Sequence, residues 1–146
     1  MSRDDLHEEA ASRLSVIDSR YTAGRRALVE VFARAARPLS LAEVMAADKG
    51  LVQSSAYRNL SVLEEAGVVR RIVTADDRTR YELAESVTGR HHHHLICAVC
   101  GKVEDFVVSA AVEAAIEAEL VAVARKRRFD AVDHQVDLTG RCADCR

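Results

Sequence analysis

The chain contains 146 residues, of which 49% are hydrophobic and 30% charged, and its formal net charge is −2. This length is typical of one domain or two small ones, and no apolar run is long enough to cross a bilayer. The net charge disfavours nonspecific binding to nucleic acid, yet residues 20–80 contain eleven Lys or Arg against seven Asp or Glu. This uneven distribution allows one face of the protein to approach phosphates.

Apolar side chains at helical spacing predict helices along most of the chain before Gly67. The first covers residues 6–17, and the second begins after Thr22 as N-cap and ends before Pro38. A short third helix has Ser40 as its N-cap. The fourth is capped by Ser54-Ser55, and its buried side is formed by Tyr57, Leu60, Val62, Leu63 and Ala66.

Two strands follow the fourth helix. Residues 68–73 and 78–83 flank an acidic turn at Ala75-Asp76-Asp77, a pattern that predicts a β-hairpin. Three helices and a hairpin are the arrangement of a winged helix-turn-helix, in which the last helix enters a major groove and hairpin arginines contact phosphate. The alternative is a helical bundle with solvated arginines on a β-ribbon.

A polar hinge at residues 86–89 predicts a domain boundary, and a smaller unit follows it. Its pattern indicates strands at residues 94–99 and 102–108, a helix at residues 110–125 after Ser109, and a strand at residues 131–139 that includes His134. The apolar stripe of this helix exceeds what so small a unit buries, which predicts a dimer.

The four cysteines of the chain form two Cys-x-x-Cys pairs. Each pair offers two thiolates from one tight turn, and together they make the four-sulfur set of a structural Zn(II) site. Two disulfides are the alternative, which a reducing cytoplasm and the absence of a secretory segment disfavour. The predicted zinc ligands are Cys97, Cys100, Cys142 and Cys145.

Four consecutive histidines precede the first cysteine pair. Because alternate residues of a strand face opposite sides, His91 and His93 share one face and His92 and His94 the other. One run of histidines can therefore serve two ions. The alternatives are a solvated histidine patch and an affinity tag.

These motifs together resemble the ferric uptake regulator family of metal-dependent transcription factors over residues 21–145. The resemblance rests on SSAYRNLSVLEEAGVV, RYEL, HHHHLICAVCG and the terminal CADC. It implies an α+β protein: an N-terminal winged helix-turn-helix domain followed by a small α/β dimerisation domain with a four-cysteine zinc site. It also implies a homodimer on operator DNA with contacts from Tyr57 and Arg58, although Ser55 and Ala56 stand where the family commonly has Thr and Val. Together with the hairpin arginines of the winged-helix pattern, the predicted DNA-binding residues are Ser55, Tyr57, Arg58, Arg78 and Arg80.

The resemblance implies two metal sites besides the cysteine site. A regulatory site at the hinge would use Glu85, His92 and His94, and a second site in the dimerisation domain would use His91, His93, Glu113 and His134. The family's hinge ligand from the DNA-binding domain is missing, since Arg37-Pro38-Leu39 occupies its region and His7 is a remote substitute. Fe(II), Zn(II) and Mn(II) all accept such ligands.

We therefore expect a cytoplasmic metal-responsive repressor whose partners are operator DNA and a second copy of the chain, with neither a membrane nor a small organic substrate. Residues 1–85 would bind DNA, residues 86–90 form the hinge, and residues 91–146 dimerise and bind metal. A small zinc-dependent hydrolase using the His/Glu cluster is the alternative, but no catalytic signature supports it. A dithiol oxidoreductase is disfavoured, because its Cys-x-x-Cys normally opens a helix.

Overall fold

The computed structural model describes residues 2–74 and 78–146. The first half of the chain contains α1 (Arg3–Val16), α2 (Ala23–Ala35), β1 (Leu39–Ser40), α3 (Leu41–Ala47), α4 (Gln53–Glu65), β2 (Val69–Val73) and β3 (Thr79–Leu83). The short helix α5 (Glu85–Thr88) leads to β4 (His93–Cys97), β5 (Val103–Phe106), α6 (Ala110–Arg127), β6 (Asp137–Gly140) and a final 3₁₀ turn (Ala143–Cys145). No helix among the described residues is long and apolar enough to span a membrane.

Local capping explains where most of the first helices begin. The Thr22 hydroxyl accepts from the Arg25 backbone N–H, and Ser40 forms a reciprocal capping box with Glu43, so both predicted caps are confirmed. The predicted cap at Ser54-Ser55 is wrong. Helix α4 begins at Gln53 after Val52, which has extended backbone and no side-chain cap bond, so both serines lie inside its first turn.

A three-stranded sheet with the order β1-β3-β2 completes the winged helix. The β2–β3 pairing confirms the predicted hairpin, whereas its predicted turn at Ala75-Asp76-Asp77 lies outside the described residues. Strand β1 was not predicted and pairs with β3 through Leu39 opposite Tyr81. Apolar side chains of α1, α2, α3 and α4 pack with this sheet into one core, and Leu28, Leu60 and Leu63 are fully buried there.

The second half is built on a sheet with the order β5-β4-β6, in which β4 pairs antiparallel with β5 and parallel with β6. The strand predicted at residues 131–139 is wrong over its first part, because β6 begins at Asp137. His134 precedes the strand, and its side chain turns towards Glu113 on α6 instead of following the sheet. Helix α6 has no buried residue within this chain.

The predicted hinge is more ordered than a polar linker. Residues 85–88 form α5, which ends at Gly89 in the left-handed conformation, with φ of 66°. Arg13 on α1 ties this helix to the first half, since its Nη1 donates to the Gly67 carbonyl and its Nη2 to the Ser86 carbonyl, both at 2.9 Å. The domain boundary at residues 86–90 stays a prediction.

Candidate metal centres and nucleic-acid face

Strand pairing brings the two cysteine turns together. Cys97 lies opposite Gly140 in the parallel β4–β6 ladder, so the turn after β4 and the turn after β6 emerge at the same edge of the sheet. Gly101 closes the first turn with φ of 70°, as the knuckle predicts. The ligand atoms of the four cysteines lie within 4.8 Å of one another, and all four are free thiols rather than disulfides.

Backbone N–H groups favour the thiolate of Cys97, whereas the side-chain hydrogen bond with Cys142 raises the pKa of Cys145 to about 12. Hydrogen bonds from the backbone of Cys100 and Cys142 lower the pKa of Cys97 to about 6, which favours its thiolate. The Cys142 N–H lies 3.4 Å from the Cys97 sulfur. Four mutually close sulfurs with such donors fit a tetrahedral structural zinc site.

One face of β4 holds the first histidine group. His93 is buried, and its Nε2 donates to Glu113 Oε2 at 2.9 Å, while His134 Nε2 donates to Glu113 Oε1 at 3.0 Å. His91 Nε2 lies 3.3 Å from the same Oε1 atom. The hydrogen bond from His93 lowers the pKa of Glu113. The structure thus brings together all four residues that were predicted for the second site.

The opposite face of β4 holds a second group, which differs from the predicted one. His92 Nε2 and His94 Nε2 lie 3.1 and 3.2 Å from the Glu82 carboxylate, and both face Asp105 at 3.9 and 4.0 Å. Burial alone would raise the pKa of Glu82, but the hydrogen bond from His94 and the charge of Arg70 lower it to about 2. Two carboxylates and two imidazoles suit Fe(II), Mn(II) or Zn(II).

Glu85, the predicted hinge ligand, lies beside this group and not in it. Its carboxylate accepts from His91 Nδ1 at 2.7 Å, from the His92 backbone N–H at 3.1 Å and from Arg70 Nη2 at 3.0 Å. It belongs to a separate potential ligand set with His91 and Asp133. Its Oε1 atom lies 3.4 Å from His92 Nδ1, whereas Glu82 and Asp105 both face the Nε2 atoms of His92 and His94.

Sequence reasoning missed Glu82, Asp105 and Arg70. A signal for Asp105 was available, since a hairpin closed by the Cys97–Gly101 turn pairs His94 with Asp105. Glu82 had a weaker signal, a single carboxylate within the strand-forming RYEL. No sequence pattern indicated Arg70, whose position depends on the β2–β3 register.

His7 takes no part in these groups. It is buried in the first half, where Nε2 lies 2.7 Å from Glu30 Oε1 and Nδ1 lies 2.6 Å from the Tyr21 hydroxyl. Since a carboxylate only accepts, Nε2 donates to Glu30, and in the neutral imidazole Nδ1 then accepts from the Tyr21 hydroxyl. Both nitrogens are thus engaged away from the hinge, which argues against His7 as the missing ligand.

The start of α4 offers an exposed polar face. Tyr57 was predicted on the buried side of this helix, which is wrong, because it is 59% exposed. Arg58 is exposed and Ser55 is half-buried. Arg78 is also exposed, but Arg80 is buried and its Nη1 donates to the Thr74 hydroxyl at 2.6 Å. This burial argues against the predicted phosphate contact of Arg80, because a guanidinium must reach solvent to meet DNA.

Comparisons with known proteins agree with the geometry. The model of the ferric uptake regulator family matches residues 17–139. The ferric uptake regulation protein of Legionella pneumophila is 35% identical over 99 residues, which cover 68% of this chain and 65% of that protein. The chain thus spans less than two thirds of the length of this curated relative.

Two solved structures extend the likeness. The ferric uptake regulator of Helicobacter pylori, described as having three functional metal binding sites, superposes with a TM-score of 0.74 at 25% identity, covering 99% of this chain and 94% of that one. The ferric uptake regulator of Pseudomonas aeruginosa with manganese gives 0.71 at 27% identity, covering 90% and 96%. The fold is therefore that of a winged helix joined to a small metal-binding unit.

Proposed function

The chain belongs to the ferric uptake regulator family of metal-responsive transcription regulators, and from this premise we propose that it is a repressor that binds operator DNA as a homodimer when a divalent metal is bound. Residues 1–85 then form the DNA-binding domain, residues 86–90 the hinge, and residues 91–146 the dimerisation and metal-binding domain. Family members are regulators and not enzymes, and no comparison favours the zinc hydrolase. The cytoplasm, where DNA lies, is the inferred location.

The ligand group of Glu82, His92, His94 and Asp105 carries this proposal. Glu82 lies on β3 of the winged-helix sheet, whereas His94 and Asp105 lie on β4 and β5 of the second sheet. Residues that hold one ion from both sheets restrict how the two halves move. If they hold it best in the DNA-competent arrangement, metal shifts the population towards that arrangement by its differential affinity.

The cysteine group, the group with Glu113 and the group with Glu82 have no residue in common, and each has a different role in this proposal. The cysteine group would hold a structural Zn(II), and its ion would supply folding energy. The group with Glu113 lies wholly in the second half, so its ion would stabilise that half and have less leverage on DNA binding. The regulatory ion is Fe(II), Mn(II) or Zn(II), in line with the ligand types.

The start of α4 is the proposed DNA-contacting surface. Tyr57 and Arg58 would meet base edges, Ser55 would lie close to the backbone, and the exposed Arg78 would contact phosphate. Arg58→Ala should weaken operator binding by about 1–3 kcal/mol, whereas Arg78→Ala should weaken binding to all DNA and flatten its salt dependence. Fluorescence anisotropy with operator and scrambled duplexes would measure both effects.

Exposed apolar residues of the second half support the homodimer. The family's symmetric assembly requires one self-complementary patch on each copy. Such a patch is available along and after α6, at Val112, Leu120, Val121, Val123 and Phe129.

Two double variants test the proposal. His92→Ala with His94→Ala should abolish metal-dependent operator binding and leave the dimer and its cysteine-bound zinc intact. His91→Ala with His134→Ala should lower the melting temperature and only partly reduce the metal response. Titration of each metal, followed by operator binding and elemental analysis, would compare them. Full response in the first variant and its loss in the second would reverse the two roles.

A further inference from the structure

Arg70 is a cation built into the proposed regulatory site. It lies on β2 directly opposite Glu82 on β3, so the strand register holds the two side chains on one face of the sheet. Its Nε donates to Glu82 Oε1, and its Nη2 lies 3.3 Å from His92 Nε2. The side chain is only 19% exposed, so water screens its charge little.

The guanidinium occupies the atoms that a metal ion needs. Glu82 and His92 are two of the four residues in the ligand group, and both already contact Arg70. Arginine stays protonated at any pH that the folded protein meets, so it does not leave the site by losing its charge. A divalent ion at the same carboxylate would stand within a few ångströms of this cation, where repulsion is strong.

Glu85 offers the guanidinium another partner. Arg70 Nη2 already lies 3.0 Å from Glu85 Oε1, and Glu85 is outside the ligand group. The formal charges also balance in this arrangement. Glu82 and Asp105 neutralise a divalent ion, while Glu85 neutralises Arg70.

We propose that Arg70 acts as a resident competitor of the regulatory metal: it occupies Glu82 and His92 in the metal-free protein and moves onto Glu85 when an ion binds. This inference rests on the proposed function, because it assumes that the ligand group of Glu82, His92, His94 and Asp105 holds the regulatory ion. Arg70 then sets the metal affinity of the site. It raises the metal concentration needed for a response and, without metal, ties β2 to the segment before β4.

The test measures Co(II) affinity without DNA, by visible absorption in a metal buffer, on protein whose cysteine site already holds zinc. Only the part of the Co(II) signal that His92→Ala with His94→Ala removes is counted. Arg70→Gln should tighten this affinity by about tenfold or more, since the repelling charge is gone. Arg71→Gln is the matched control, because its side chain is 52% exposed and pairs with Glu64 at 3.3 Å on the other face of β2. It should leave the affinity unchanged.

A double-mutant cycle that combines Glu85→Gln with Arg70→Gln provides a second test, so the conclusion does not depend on Arg70→Gln alone. If Glu85 receives Arg70, Glu85→Gln weakens Co(II) binding in the wild-type background and has no effect in the Arg70→Gln background. If Glu85 is itself a ligand, the weakening is equal in both backgrounds and the proposal fails. Arg70→Lys keeps the charge, so its affinity should stay near wild type; should Arg70→Gln not fold, a gain of tenfold in Arg70→Lys would overturn the proposal.

The outcomes separate the two proposals. An unchanged or weaker Co(II) affinity in folded Arg70→Gln overturns the role of Arg70 while the regulatory site stands. A Co(II) signal that never depends on His92 and His94, with or without Arg70, overturns the regulatory site and this inference with it. A signal that appears only after Arg70→Gln supports the competitor role.

Discussion

The two halves of the molecule are stabilised in different ways. In the first half, seventeen buried apolar residues form one core beneath four helices and a sheet. Beyond α5, the buried large apolar side chains among the described residues are Ile96 and Val103, which pack with Ile72 from β2. Helix α6 has no buried residue. The first half therefore has a core of its own, and the second half has to rely on something else.

Potential metal ligands are concentrated in the second half, where few apolar side chains are buried. The second half contains the four cysteines and all of the histidines that lie within 4.8 Å of other potential ligands. A small unit that cannot bury enough apolar surface commonly depends on a metal ion or on a partner chain. Losing metal ligands should therefore affect the second half first, and losing buried apolar volume should affect the first half first.

The largest effect is expected from removal of the cysteine site. Cys97→Ser should leave the second half unfolded or aggregated, because apparent binding free energies of structural zinc reach about 10–16 kcal/mol. The first half should keep its helical content. Hydrogen exchange resolved by residue would show protection lost in β4, β5 and β6 and kept in α2 and α4. A well-folded dimer from Cys97→Ser would contradict the comparison.

A smaller effect is expected from a cavity in the first half. Leu60 is fully buried, so Leu60→Ala should lower the free energy of unfolding by about 2–5 kcal/mol. Zinc content, measured by elemental analysis, should not change. Val52→Ala is the control, since Val52 is 63% exposed and its loss should be within about 0.5 kcal/mol. Loss of zinc from Leu60→Ala would mean that the halves are not independent.

A substitution on the proposed dimer surface of α6 should give the next largest change. Val123 is 54% exposed in the single chain, and Val123→Glu should raise the dimer dissociation constant by about tenfold or more, because burying a valine contributes about 1.5–3 kcal/mol. Val16→Glu on α1, where Val16 is 82% exposed, should leave association unchanged. Sedimentation equilibrium distinguishes them. Equal dimer affinities for wild type and Val123→Glu would place the interface elsewhere.

The smallest effect concerns the polar network inside the first half. Burial raises the pKa of Tyr21 from 10.0 to about 12, so the neutral phenol is favoured in the folded state. Its contribution to stability is complete below pH 10 and is lost as the pH rises through about 12. Burial also raises the pKa of Tyr81, so phenolate absorbance should show late titration for two tyrosines, and Tyr21→Phe should remove the component near pH 12. Because no metal ligand takes part, the titration should be the same with and without zinc, and a dependence on zinc would weaken the comparison.

Local sequence signals predicted most helices and strands, but the exact bounds of some elements depend on contacts between residues far apart in the chain. Thr22 and Ser40 were recognisable as caps because a cap depends on a side chain and a backbone N–H three residues later. The same rule misplaced the start of α4, where Val52 precedes the helix without a side-chain bond. Alternation extended the last strand too far, because only the residues from Asp137 onward find partners on β4.

The sequence by itself determined the chemistry of the sites. The Cys-x-x-Cys turns and the alternation of the four histidines depend on residues that are neighbours in the chain, so spacing alone predicted two histidine pairs on opposite faces. Only the tertiary structure decided which charges complete each pair. Glu82 and Asp105 face both histidines, His92 and His94, because the two sheets approach each other at these side chains. Arg70 shares the Glu82 carboxylate, because the register of β2 against β3 places the two residues opposite each other. The contact of Glu82 with His94 joins strands of two different sheets, and no local pattern encodes it.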